Sequence, residues 1–272
     1  MIKVNNLNFS YKKDGPFVLK GVNFLMKKNE FIALIGGNGS GKSTFVKILN
    51  GLLTGYEGSI EVLGNDPGKE DEVIEVRKKI GMVFQNPENQ IVGAIVEDDT
   101  AFSLENLGFP RKEIRKRVDK ALKASGLYEK RFSQTSDLSG GQTQRLAIAA
   151  MLALRPNIIV FDEATSMLDS KSRKEIFEII KRLNREDGIG IIFISHFMDE
   201  VVEADRIIVM DSGSIVKDGT PSEVFNSIKL LEKSHVKMPD AKKIAFDLKN
   251  LGINIDWTKI LTTDELYSYI DS

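Results

Sequence analysis

The sequence has no cysteine, which removes disulfides and thiolate metal sites and fits a reducing compartment. It also has almost no charge excess. Its 38 lysines and arginines face 39 aspartates and glutamates, so a nucleic-acid footprint is not indicated. No uninterrupted apolar run approaches the roughly 18 residues of a membrane span. The N-terminus, Met1-Ile-Lys-Val4, opens directly in a strand pattern without a signal peptide. Internal repeats and low-complexity tracts are lacking. The expectation is a cytosolic chain whose 272 residues form one large domain, or one with a small appendage. Any membrane role then has to come through a partner.

What is present is concentrated in short glycine-rich runs. Residues 36–43 read Gly-Gly-Asn-Gly-Ser-Gly-Lys-Ser, which fits the phosphate-binding pattern G-x-x-x-x-G-K-[ST]. The run follows an apolar strand-like stretch, residues 31–35, and precedes a helical pattern in Val46, Ile48 and Leu49. Strand, glycine turn and helix is the context the motif needs, because loop N–H groups and the positive helix end then converge on a phosphate. Gly36, Gly39 and Gly41 permit close approach and positive φ. Lys42 can reach the outer phosphates, and the Ser43 hydroxyl can hold Mg²⁺.

A second run, Leu138-Ser-Gly-Gly-Gln142, lies just before a helix-forming stretch, residues 143–154, that Pro156 stops. Ser139 and the amides of Gly140 and Gly141 then form a second anion-binding helix end. Next come Ile158-Ile-Val-Phe161 and two carboxylates, Asp162 and Glu163. In isolation such a pair is equally well a helix N-cap. With two phosphate-facing helix ends upstream, Glu163 is the expected general base for an attacking water.

Together these motifs resemble those of the ATP-binding cassette (ABC) ATPases, over almost all of residues 1–225. The resemblance implies an α/β fold: a RecA-like P-loop NTPase core, an antiparallel β subdomain, and an α-helical subdomain at about 91–156. It implies ATP and Mg²⁺ as ligands, with Gly36, Gly37, Asn38, Gly39, Ser40, Gly41, Lys42, Ser43 and Thr44 cradling the nucleotide. Ser139, Gly140, Gly141 and Gln142 would contact the nucleotide of a second ATPase subunit, paired head to tail. Asp162 would orient the Mg²⁺ shell with Ser43 and Gln85, the latter at the family's Q-loop position. Residues 166–169 fall at the D-loop. His196, directly after the apolar strand 191–195, matches the switch histidine beside the γ-phosphate. Tyr11 matches the aromatic that stacks on adenine, a buried strand tyrosine being the alternative. His235 lies in a polar segment and is assigned no role. Thr143 stands where lysine or glutamine is common, beyond the phosphate contacts.

Two further features bear on the subtype. Gln85-Asn-Pro-Glu-Asn-Gln90 closely resembles the Q-loop of energy-coupling factor ATPases, which drive uptake of vitamins and of cobalt or nickel ions. Residues 226–272 read as a small helical tail. Its first helix carries Ile244, Leu248 and Leu251 on one face, with Gly252 as a cap. Its last opens with a Thr262-Thr-Asp-Glu265 capping box. The tail resembles the C-terminal dimerisation element of the same ATPases, and packing on its own core is an equal alternative. The partners implied are a second ATPase, an integral membrane scaffold (T component) and a substrate-binding membrane protein (S component). The place implied is the cytoplasmic face of the cell membrane. The ATPase of another importer, or a soluble cassette protein such as an iron–sulfur assembly scaffold, shares the same catalytic motifs and stays open at this point.

Overall fold

The computed structural model describes residues 1–270. Nine strands follow one another as β1 (Ile2–Phe9), β2 (Leu19–Met26), β3 (Phe31–Ile35), β4 (Glu57–Val62), β5 (Ile80–Val83), β6 (Ile158–Asp162), β7 (Gly190–Ile194), β8 (Arg206–Asp211) and β9 (Ser214–Gly219). The helices are α1 (Lys42–Leu49), α2 (Val73–Lys79), α3 (Val96–Asn106), α4 (Arg111–Ala124), α5 (Gly140–Ala153), α6 (Ser170–Arg185), α7 (Met198–Val201), α8 (Pro221–Phe225), α9 (Ile228–Lys233), α10 (Asp240–Asn250) and α11 (Thr263–Ile270).

The strands form two sheets. A three-stranded antiparallel sheet runs β2-β1-β4, and its alternation buries Ile2, Val4, Leu7 and Phe9. A six-stranded sheet runs β5-β6-β7-β3-β8-β9, parallel except for its β9 edge. Every residue of β3, β6 and β7 is buried. That is why these strands read as continuous apolar runs: both faces of a parallel sheet are covered. β9 returns along β8 through Ser212 and Gly213, both at positive φ (48° and 87°), the geometry of a tight two-residue hairpin.

One core lies between the two sheets and includes Phe45, Val46, Ile48 and Leu49 of α1. The other face of the large sheet packs on α6 through Ile176, Phe177, Ile180 and Leu183. Helices α3, α4 and α5 bury a separate core of Leu104, Val118, Leu122 and Leu146. These three helices form a helical subdomain.

The tail departs in detail from its sequence pattern. Ile244 and Leu251 are 49 % and 79 % exposed, and of that face only the half-buried Leu248 packs against the tail's core. Helix α10 buries Ala241, Lys242 and Ala245 instead, against Ile255, Ile260 and Leu266. Small alanines let the chain after α10 return closely, so the buried face is not the one with the largest apolar side chains. The cap is as expected: Gly252 at φ 89° donates to Lys249 O (3.0 Å) and Ile253 to Leu248 O (3.1 Å), closing a Schellman motif.

Candidate active site

Strands β6, β7 and β3 are neighbours, so residues 36–41, 162–163 and 195–196 leave the carboxyl ends of three adjacent parallel strands. Open α/β sheets present ligand-binding groups along that edge. Gly36, at φ 147°, lies so close to β8 that a Cβ there would stand 2.1 Å from the Met210 carbonyl oxygen. Gly41, at φ 104°, opens α1, whose first turn carries no acid and no side-chain cap. The N-terminal amides of α1 are thus left to an anion.

Lys42 is 5 % exposed and folds back into the loop. Its Nζ donates to Gly36 O (2.9 Å), Gly37 O (3.0 Å) and Ser40 Oγ (3.3 Å). Burial pulls the ammonium below its ordinary pKa, while the nearby Glu163 and Asp162 oppose the shift. Asn38 and Gly39 form the exposed tip. Tyr11 is 59 % exposed rather than buried in a strand. Its hydroxyl stands 2.9 Å from Thr44 Oγ1, and its ring meets Phe9 edge-on at 5.1 Å. An exposed aromatic face beside the phosphate loop suits base stacking.

The Ser43 hydroxyl donates to Asp162 Oδ1 at 2.9 Å. Asp162 is buried, which raises its pKa, and the Ser43 hydrogen bond works against that rise. Two oxygen donors meeting in a partly dry site suit a hard divalent cation. Glu163 is next, at φ 55°. Its amide donates to Ile194 O (3.0 Å), and its Oε1 lies 3.1 Å from His196 Nε2. The Ser166 hydroxyl donates to the Glu163 carbonyl at 2.8 Å. Asp169 caps α6, accepting from the Lys171 and Ser172 amides at 2.9 and 3.0 Å.

Gln85 is exposed beyond β5. The rest of its run explains the loop's shape. Asn86 Oδ1 accepts from the Glu88 amide (3.1 Å), and Pro87 starts a single tight turn. The Gln90 side-chain amide then clamps the strand end along one edge, accepting from Phe84 N (2.8 Å) and donating to Met82 O (3.0 Å). Gln90 is a positioning residue that sequence reading took only as part of a signature.

Glu200 is a second residue that sequence reading did not single out. The residue is 7 % exposed on α7, and its Oε2 accepts from Thr165 Oγ1 (3.1 Å) and Ser195 Oγ (2.8 Å). One oxygen therefore ties the segment after Glu163 to the residue before His196. Burial raises its pKa, the two hydroxyls opposing. The signal was a lone acid four residues after a histidine, too common to read without the fold.

Ser139, Gly140, Gly141 and Gln142 lie apart, at the exposed start of α5 on the helical subdomain. The Ser139 amide donates to Gln142 Oε1 at 3.1 Å, half of a capping box. Thr143 is buried and donates to Ser139 O at 3.0 Å. The start of α5 opens onto a cleft with Arg145, Ser172 and Glu175, distinct from the cleft between residues 36–38 and His196. The structure brings the loop, Asp162, Glu163, His196 and Tyr11 together and leaves the second glycine run outside.

A P-loop core carrying a glycine run on a separate helical subdomain is the architecture of ABC ATPases. The ABC transporter family model matches residues 19–166, more than half of the chain, and the chain belongs to that family. It belongs, within it, to the energy-coupling factor transporter ATP-binding proteins. It is 47 % identical over 273 residues to EcfA1 of Caldanaerobacter subterraneus subsp. tengcongensis, covering 99 % of this chain and 98 % of that one. It is 49 % identical over 269 residues to EcfA1 of Clostridioides difficile, covering 98 % and 96 %. Among solved structures, cbiO1 from Clostridium perfringens, described as part of the ABC transporter complex cbiONQ, aligns with a TM-score of 0.78. The alignment has 36 % identity and covers 92 % of this chain and 96 % of that one. The dimeric bacterial cassette MJ0796 aligns with a TM-score of 0.73 and 33 % identity, covering 81 % and 99 %. The chain is an ATP-binding ATPase subunit.

Proposed function

We propose that the chain is the motor of an energy-coupling factor importer, hydrolysing ATP at a site completed by a second ATPase subunit. The observation that supports it is the separation of the two glycine runs. Lys42 and Ser139 head different helices on different subdomains, facing different clefts, so Ser139 serves a nucleotide held by a partner. ATP between two such chains then draws them together, and hydrolysis releases them.

In this reading the α1 amides and Lys42 take the outer phosphates, with Lys42 exchanging its loop carbonyls for phosphate oxygens. Tyr11 lies under the adenine. Among the described residues no cluster of three His, Cys, Asp or Glu side chains could hold a metal unaided. Ser43, Asp162 and Gln85 fit instead as the protein share of a Mg²⁺ shell that substrate phosphates and water complete. When bound, the ion neutralises charge on the phosphates. Glu163 accepts the proton of the attacking water, and His196 orients that carboxylate and reaches the γ-phosphate.

Residues 1–225 make up the nucleotide-binding domain and residues 226–272 a dimerisation element. The exposed Leu251, Tyr267 and Ile270 give that element apolar surface for a partner. No helix among the described residues is long and apolar enough to cross a membrane. In this reading the chain works at the cytoplasmic face through a T component and an S component, and the S component selects the vitamin or transition-metal ion. A tagged pull-down from detergent-solubilised membranes, read by mass spectrometry, tests this. Recovery of one integral scaffold with small substrate-binding membrane proteins is expected. A symmetric permease pair would place the chain in another importer, and soluble partners alone would end the transport reading.

A further inference from the structure

Both histidines of the chain line one cleft of about 390 Å³ between the phosphate loop and the segment leading into the C-terminal tail. His196 belongs to the site above. His235 stands at the end of α9, in a Schellman turn: Val236 donates to Leu231 O (2.9 Å) and His235 to Glu232 O (3.3 Å). Its φ is 53°, at the position where glycine is favoured. A strained non-glycine residue there points to a role beyond ending a helix.

The turn leaves the Ser234 carbonyl free for another donor, and that donor is the Gly37 amide at 3.1 Å. The other side of the same peptide unit, Gly36 O, accepts from Lys42 Nζ at 2.9 Å. The peptide joining Gly36 to Gly37 is thus held between the phosphate-loop lysine and the tail junction. His235 lies beside the Gly37 Cα, where a built Cβ would stand 3.4 Å from His235 Cβ and 3.8 Å from its ring Cδ2. Leu231, Val236 and Met238 pack into the ATPase core and fix the junction in place.

We propose that His235 and the Ser234 carbonyl are positioning residues for the phosphate loop. When Lys42 turns to a nucleotide, the peptide between Gly36 and Gly37 loses its inner hold and keeps only the outer one. The junction to the C-terminal tail then sets how well the loop receives the outer phosphates, and nucleotide occupancy is felt at the junction in return. The proposal rests on the reading of this loop as the ATP site.

The test is His235→Gly, which keeps the backbone turn and removes the side chain. A purely structural histidine predicts an equal or higher melting temperature and unchanged nucleotide binding. A positioning role predicts the same melting behaviour with ATP Kd and KM raised about fivefold or more, and kcat at saturating ATP little altered. A well-folded variant with wild-type ATP affinity overturns the proposal. In the wild-type chain, amide exchange across residues 228–240 should slow when a non-hydrolysable ATP analogue binds, and unchanged exchange there also overturns it. Wild-type titration with the same analogue separates the two readings. No wild-type binding removes the ATP site and the strut together, whereas wild-type binding with an unaltered variant removes the strut alone.

Discussion

Glu163 holds a left-handed backbone conformation at φ 55°, which costs a non-glycine residue on the order of 1–3 kcal/mol. The Ile194 carbonyl and the Ser166 hydroxyl fix it there, aiming the carboxylate at His196. Glu163→Gln keeps the side-chain shape and removes the proton acceptor. Phosphate release should fall by about 10²-fold or more, while ATP binding persists and light scattering detects an ATP-dependent dimer. Glu200 acts one step further out, through Ser195 and Thr165. In Glu200→Gln the amide oxygen can still accept from both hydroxyls, but those bonds lose their charge and an N–H₂ group replaces Oε1, which lies 3.8 Å from the Arg173 guanidinium. A roughly tenfold drop in kcat, as expected for a loss of about 1–2 kcal/mol of charged hydrogen bonding, with KM for ATP unchanged, is the predicted signature. A rise in KM alone would show that Glu200 serves binding rather than catalytic alignment.

At the scale of elements, the tail is held by a lysine. Lys242 is fully buried in α10 and donates to the carbonyls of Trp257 (3.0 Å), Ile260 (3.1 Å) and Thr258 (3.3 Å). Its ammonium also lies 4.9 Å from the Trp257 ring centre. Removing it takes the Lys242 donor from the buried Ile260 carbonyl, at about 1–3 kcal/mol, and from the half-buried Thr258 carbonyl, while the Trp257 carbonyl keeps the Ile260 amide. Lys242→Met should therefore unfold the tail locally, seen as early proteolysis after about residue 238, while the core melts as before. Burial brings the Lys242 pKa down to about 8 from its ordinary 10.5. The folded tail then binds fewer protons than the unfolded chain between those values, so its stability rises with pH across that window and is flat below it. Tail exchange rates should fall from pH 8 to pH 10 in the wild type, after correction for intrinsic exchange. Wild-type tail exchange rates that stay level across that range would show that burial does not hold the Lys242 ammonium below its ordinary pKa.

At the scale of the whole molecule, the open question is which chain supplies the second half of each site. Lys42→Ala and Ser139→Arg should each abolish turnover alone, because each damages both sites of a symmetric dimer. Mixed in equal amounts, they should regain up to about a quarter of wild-type activity, since half of the dimers then carry one intact site. Recovery would establish a composite site built from two copies of this chain. Failure to recover, with both variants folded, would assign the second half to a different ATPase subunit.

Local features of the sequence determined the ligand chemistry and the main elements. The glycine loop and the capping boxes at Thr220 and Thr262 depend on neighbours within a few residues, and the buried strands and the Asp162–Glu163 pair show as short contiguous runs. Their backbone and capping physics is local, and so is legible in one dimension. What joins distant segments was decided only by the tertiary structure. Glu200 meets Thr165 across 35 residues, Ser43 meets Asp162 across 119, and the Gly37 amide meets the Ser234 carbonyl across almost the whole core. The tail helix buries its alanines and a lysine because a returning loop needs room and a donor, which no hydrophobic period encodes. Side chains that satisfy remote backbone groups carry no periodic signal, because their partners are set by strand order and not by spacing along the chain.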